Sequence, residues 1–349
     1  MQGESLRIAQ VLTASTGGIG RHVASLLPRF VDRGHRVVVF CPEVTAVAQD
    51  FAALRVPVRP LRDLARARTA DVVHAHGYKA GALAAAATVL ARPPLVVTWH
   101  NAILGAGGAA AAGRLLQVGV ARVADLTLGA SSDLVETARQ AGARHARLGP
   151  VAAPVLPQAQ QDRESVRREL GVAPDEVLVL TVSRLAPQKN LGLVLDVAGA
   201  LAGRARTTFA VVGEGPERGA LERRIGAESL PVRLLGRRDD IAGFLGAADL
   251  ALLTSTWEAR ALVAQEALLA GLPLVSTRVR GIEELVGSAA VLVDLDDAAG
   301  AAAAVARLAA DPEERRRLAL AGRQQAAAWP DEDQVADDVL AAYAEVIAG

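Results

Sequence analysis

Glu258 and Glu266 form an E-x7-E pair inside Ser255-Thr256-Trp257-Glu258-Ala259-Arg260-Ala261-Leu262-Val263-Ala264-Gln265-Glu266. Residues 249–253 ahead of it read as a buried strand. Leu262, Val263, Leu268 and Leu269, then Gly271 and Pro273, read as a short helix with a stop. Glu258 then falls in a strand-to-helix loop, and Glu266 lies about one turn into the helix. A helix start at the C-terminal edge of a parallel sheet binds anions. A carboxylate just inside it suits hydroxyl groups, such as those of a ribose, better than phosphate.

A second set of charges stands in Ser183-Arg184-Leu185-Ala186-Pro187-Gln188-Lys189-Asn190, after another strand and before another helix. Arg184 can fork two oxygens and Lys189 puts a compact charge at the helix start, which together suit a diphosphate. The plain alternative is a solvated loop. Gly213-Glu214-Gly215-Pro216 follows a third strand. Its glycines allow the backbone close to a ligand, or simply make a tight turn, and Pro216 fits the first helical position. Thr16-Gly17-Gly18-Ile19-Gly20 resembles an anion-binding turn but lacks the G-x-G-x-x-G spacing, so NAD is not favoured.

The six histidines lack metal spacing. His74-Ala75-His76 puts two rings on one strand face, read as a strand end with one ring buried and satisfied. His100 falls just past a strand's C-terminal end, where sites form. Asp294-Leu295-Asp296 has the form of a metal-nucleotide motif but reads as a solvated acidic turn. Arg55, Arg59, Arg62, Arg66 and Arg68 make a basic stretch, either an exposed face or a contact for an anionic membrane surface.

Alternating strands and helices must hold these residues. The pattern predicts strands over 7–12, 36–40, 71–75, 95–98 and 125–128, with helices over 20–33, 79–90, 113–124 and 132–140. A second series has strands over 177–182, 208–212, 232–235, 249–253, 274–276 and 290–293, with helices over 191–201 and 217–227. The prolines at 150, 154 and 157 and the polar run 158–165 mark a linker, which predicts domains of 1–157 and 158–328. A last amphipathic helix over 329–349 carries Val335, Val339, Leu340, Tyr343 and Ile347 and is assigned to the first domain.

The chain has 349 residues, half of them apolar, and a formal charge of zero, which argues against a dedicated nucleic-acid binder. Lys79 and Lys189 are its two lysines, and Cys41, its one cysteine, excludes a disulfide framework or thiolate metal site. No signal peptide or spanning segment is read, so a cytoplasmic protein is expected, peripheral at the membrane if the arginine stretch docks there.

Together these segments resemble the retaining glycosyltransferases of family 4, with the two-domain GT-B fold. The likeness rests on Ser183-Arg184-Leu185 with Lys189-Asn190, on Gly213-Glu214-Gly215-Pro216 and on Glu258/Glu266. Weaker parts are Gly17-Gly18, Asp71 to Gly77, Thr98-Trp99-His100 and Arg280 to Val286. The resemblance implies an α/β protein of two Rossmann-like domains whose parallel sheets face across a cleft. It implies a UDP- or GDP-sugar donor held by the second domain, with no cofactor and no metal. Arg184 and Lys189 would hold the diphosphate, Glu266 the ribose, and Glu258 would lie near the donor sugar. Amides of Ala259, Arg260 and Leu262 would meet phosphate or sugar, with the base near Arg237 and Arg238. His100 and the Gly17-Gly18 loop would approach from the acceptor side, the acceptor being a sugar, a lipid-linked or a small molecule. Ala259-Arg260-Ala261 replaces the family's glycine-aromatic motif, which points Arg260 at an anionic ligand group or into the site as a block. A GT-B epimerase, a phosphorylase and a catalytically silent binding or scaffold homologue are the rival readings.

Overall fold

A computed structural model describes residues 5–149 and 151–349. The chain divides into two compact units, one reaching Pro154 and taking in Pro330–Gly349, the other spanning Val155–Trp329. The first unit contains β1 (Arg7–Leu12), α1 (Gly18–Asp32), β2 (Arg36–Phe40), α2 (Glu43–Ala48), β3 (Val58–Arg59), β4 (Val72–His76), α3 (Tyr78–Thr88), β5 (Leu95–Trp99), α4 (Gly108–Val123), β6 (Leu126–Gly129), α5 (Ser132–Gln140) and β7 (Ala146–Leu148). Its strands are all parallel, in the order β3-β2-β1-β4-β5-β6-β7.

The second unit runs α6 (Arg163–Glu169), β8 (Val177–Val182), α7 (Leu191–Leu201), β9 (Thr207–Val212), α8 (Arg218–Glu228), β10 (Val232–Gly236), α9 (Ile241–Ala247), β11 (Leu250–Leu253), α10 (Leu262–Leu269), β12 (Leu274–Thr277), α11 (Arg280–Val286), β13 (Val291–Val293), α12 (Ala298–Ala310) and α13 (Pro312–Ala327). Its sheet is also parallel, ordered β10-β9-β8-β11-β12-β13. Both are Rossmann-like, each with a switch point where the strand order reverses: β1 beside β4, and β8 beside β11.

The central strands of both sheets are mainly apolar and buried on both faces, with a few buried polar residues such as Gln10, His74 and Thr181 among them. Leu178, Leu180, Leu252 and Val275 lie in the second unit's core. Ile8, Val72, Val96 and Leu126 lie in the first unit's core. The last helix, α14 (Glu332–Ala348), opens on a capping box of Asp331 and Gln334 and packs on α1. Arg29 pairs with Glu332 at 3.0 Å and Arg33 with Asp337 at 2.6 Å, while Val335, Val339 and Tyr343 enter the core. Ile347, expected on that apolar face, is exposed and Val346 takes its place, because successive positions on a helix drift from a fixed four-residue spacing.

Other differences lie at edges and ends. The edge strands β3 and β7 have two and three residues, too few to show an alternation in sequence. Helix α4 begins at Gly108 rather than at 113, through an alanine run that carries no periodic signal. The polar run 158–165 holds a helix start, since Asp162 accepts from Ser165 N–H and caps α6. The basic stretch includes a 3₁₀ segment, Leu61–Thr69, whose Arg62, Arg66 and Arg68 face solvent. Among the described residues no helix is long and apolar enough to cross a membrane.

Candidate active site

In the second unit the loops after β8 and β11 leave adjacent strands at the switch point, so Arg184, Lys189 and Glu258 are neighbours by topology. Side chains and backbone then lock the two loops together. Thr256 N–H donates to Gln188 O at 2.8 Å, Gln188 Nε2 to Trp257 O at 2.7 Å, and Thr254 Oγ1 to Lys189 O at 2.8 Å. Thr277 Oγ1 holds the far side of the second loop through Ser255 O at 2.6 Å.

The centre of this arrangement is an ion pair. Lys189 Nζ donates to Glu258 Oε1, which also accepts from Ser255 Oγ at 2.6 Å. Glu258 is buried and Lys189 half-buried. Arg184, five residues before Lys189 in the same loop, is exposed. Helix α10 starts just after Glu258, with Ala261 at its N-cap, whose side chain offers no acceptor to the first-turn amides. Glu266 sits buried in that helix, as do Ala259, Ala261 and Leu262 at its approach. A diphosphate suits this place: an ammonium, a guanidinium and a helix N-terminus lie together, with a buried carboxylate inside.

The glycines here serve the backbone. A Cβ on Gly213 (φ +143°) would stand 1.8 Å from Ser183 O, and one on Gly215 would stand 2.2 Å from Leu185 O. They let the loop after β9 press against the loop that carries Arg184. Gly281 does the same at the start of α11, where a Cβ would lie 2.0 Å from Ala259 O and 2.2 Å from Glu258 O. Arg260 does not point along the amides. Its Cζ lies 5.9 Å from the Trp329 ring centroid, and Trp329 Nε1 is fixed to Leu285 O at 3.1 Å. Burial lowers the Arg260 pKa, with Glu284 opposing. Arg237 is exposed near Asp239, and Arg238 bonds Glu169 at 3.2 Å.

The first unit has its own cluster. Gln10 on β1 is in register with His74 on β4, and His76 with Thr98 on β5, so their side chains share one face. Both His74 and His76 are buried, where a single buried ring was expected. Burial is affordable because each finds partners: His74 bonds Tyr343 Oη (2.7 Å) and Thr98 Oγ1 (2.6 Å), His76 bonds Gln10 Oε1 (2.7 Å) and His100 Nε2 (3.1 Å). His22 stands edge-on to His100, centroids 5.5 Å apart. Burial pushes His22 down to about 4 and His74 to about 3. His76 and His100 are held well below the usual histidine range by burial and by their neighbours. Gly17 and Gly18 are exposed at the N-terminus of α1. Asp294 and Asp296 are exposed, and Asp297 caps α12. Among the described residues no group of three or more His, Cys, Asp or Glu could hold a metal.

Sequence reasoning missed Ser255, Gln188, Gln10, Tyr343 and His22. Ser255 stands three residues before Glu258, a spacing at which local bonds form, and Gln10 is the lone polar residue in the interior of its strand.

The Glycosyl transferase 4-like domain model matches residues 17–154, and the Glycosyl transferases group 1 model residues 162–325. The chain belongs to the family 4 glycosyltransferases of GT-B fold. These are enzymes that transfer sugars. N-acetyl-alpha-D-glucosaminyl L-malate synthase of Bacillus anthracis is 27% identical over 47% of this chain and 44% of its own length. The matches to it and to the alpha-D-kanosaminyltransferase of Streptomyces kanamyceticus span about half of those relatives, 44% and 49%. The D-inositol 3-phosphate glycosyltransferase of Thermomonospora curvata is 26% identical over 95% of this chain and 91% of its own. Among solved structures, Anabaena HepE in complex with UDP and glucose superposes with a TM-score of 0.87 at 22% identity, covering 97% of this chain and 100% of that one. That likeness speaks for the fold.

Proposed function

We propose that this chain transfers a sugar from a nucleotide-diphosphate sugar to a hydroxyl acceptor with retention of anomeric configuration. The observation that carries the reading is the Lys189–Glu258 pair just before α10, with Arg184 exposed in the same loop as Lys189 and Glu266 buried within α10. Arg184, Lys189 and the α10 amides hold the diphosphate, and Glu266 accepts from the ribose hydroxyls. Breaking the bond between the sugar's anomeric carbon and the phosphate oxygen puts negative charge on the diphosphate, where these groups stabilise it. The acceptor oxygen bonds to the anomeric carbon on the same face, and its proton goes to the departing phosphate oxygen. Lys189 has three N–H donors, so it can keep Glu258 while meeting phosphate. We assign His100, in the first unit, to binding of the acceptor hydroxyl. The solved relative contains UDP and glucose, and relatives named for L-malate and D-inositol 3-phosphate support a small hydroxylated acceptor.

Calorimetry with UDP and GDP tests the donor site. Lys189→Ala should weaken the favoured nucleotide by about 1.5–3 kcal/mol, the range for a charged hydrogen bond. Unchanged affinity rejects the assignment. A thermal-shift panel of nucleotide sugars then identifies the donor, since a tight ligand raises stability by mass action. Early product spectra showing an inverted anomeric centre would reject retention.

A further inference from the structure

Four imidazoles gather in the first unit, and three of them, His74, His76 and His100, are joined with Gln10 and Tyr343 in one series of hydrogen bonds. Burial, followed by the neighbouring rings, disfavours their charged forms, so each carries one proton. Gln10 sets the direction. Its Nε2 donates to Tyr343 Oη at 2.8 Å, and its Oε1 accepts from His76 Nε2–H at 2.7 Å. His76 Nδ1 is then a lone pair and accepts from His100 Nε2–H at 3.1 Å. His100 is left with its lone pair on Nδ1, which takes no part in this chain of bonds. On the other side Tyr343 already accepts from Gln10, so its O–H donates to His74 Nδ1 at 2.7 Å, and His74 Nε2–H donates to Thr98 Oγ1 at 2.6 Å.

Every donor in the series meets an acceptor. Turning the Gln10 amide over reverses each link and moves the His100 proton to Nδ1. The tautomer of His100 is thus coupled, two residues away, to the orientation of the Gln10 amide, which is bonded at its other end to a hydroxyl from the last helix. Packing alone does not need this: a phenylalanine at 343 and a leucine at 10 would fill similar space in an otherwise apolar core.

We propose that Gln10 and Tyr343 are positioning residues for His100. They hold it as the Nε2–H tautomer, with the Nδ1 lone pair ready to accept a hydrogen bond from a reacting hydroxyl. This rests on the reading that His100 serves the transfer.

Two readouts test it. Long-range proton–nitrogen spectra of the free, histidine-labelled protein report each tautomer without substrate. The parent should show His76 and His100 as Nε2–H. Tyr343→Phe and Gln10→Leu should convert His100 to a mixture, while Gln10→Glu should keep Nε2–H, because either carboxyl oxygen accepts from His76. In turnover, Tyr343→Phe and Gln10→Leu should lower kcat about tenfold or more with donor KM within about twofold, and Gln10→Glu should recover most of the loss. Unchanged tautomers in Tyr343→Phe and Gln10→Leu overturn the relay. Altered tautomers with parental kcat overturn the positioning role. Parental kcat in His100→Ala instead defeats the underlying reading of His100, and the free-protein spectra still decide the relay by themselves.

Discussion

At the scale of single residues, the second unit's site turns on how Lys189 divides itself. Its ammonium is held by Glu258, whose buried carboxylate is also tied to Ser255. A diphosphate must compete for that charge. Glu258→Gln removes the competitor and keeps the hydrogen-bonding shape. It should leave nucleotide affinity equal to the parent or tighter while turnover falls; a loss of affinity as large as that of Lys189→Ala would make Glu258 a direct nucleotide ligand instead. Arg260 is the opposite case. The sequence offers it a ligand or a blocking role, and in the structure its guanidinium lies 5.9 Å from the Trp329 ring centroid. Arg260→Ala should therefore spare nucleotide affinity and donor turnover and lower stability by about 0.5–2 kcal/mol, the worth of such a stack. Parental stability in denaturant with weakened donor binding would restore Arg260 to the ligand.

Among elements, the sequence showed more of the centre than of the edges. Interior strands such as β8 and β11 were legible because burial on both faces leaves a short, mainly apolar run rich in Val and Leu. The switch-point loops were legible because charged residues stand where such runs end. What the sequence could not show was why each residue is there. Gly213 and Gly215 read as close approach to a ligand or as a tight turn, and the sequence could not show that the carbonyls of 183 and 185 press where a Cβ would stand. Gln10 and Tyr343 lie 333 positions apart and meet only once α14 packs back on the first unit. A prediction separates the glycines. Gly281→Ala forces a methyl against Ala259 O and Glu258 O, so it should cost about 1–3 kcal/mol and displace the loop that carries Glu258, weakening nucleotide binding too. Gly119→Ala, on the exposed face of α4, meets nothing within 4 Å, so stability should stay at the parental value or rise. Parental stability and nucleotide affinity for Gly281→Ala would show that the Glu258 loop gives way freely.

For the whole molecule, the two units each keep a core, but they differ in what acid does to them. The first unit buries four neutral imidazoles, with His22 at about 4 and His74 at about 3. His76 and His100 are also lowered well below the usual value. Unfolding frees these rings to bind protons at their ordinary value of about 6.5. As pH falls below that, the unfolded chain takes up protons that the folded chain refuses, so stability falls, and it falls further until the folded values are reached. Each such group contributes up to about 1.4 kcal/mol per pH unit. The depressed carboxylates, Asp71, Asp162, Asp240, Asp249 and Glu313, act in the same direction but only as pH drops through about 4. Between about pH 6.5 and 5 the loss therefore belongs chiefly to the histidines and to the first unit. Amide exchange in β1 and β4 should accelerate over that window while exchange in β8 and β11 holds steady. His22→Leu isolates one group: its Nδ1 is buried without a partner, so no bond there is lost. The variant should match or exceed the parent near neutrality and lose less as pH falls. Equal pH slopes for parent and variant would mean that His22 is already protonated inside the folded unit.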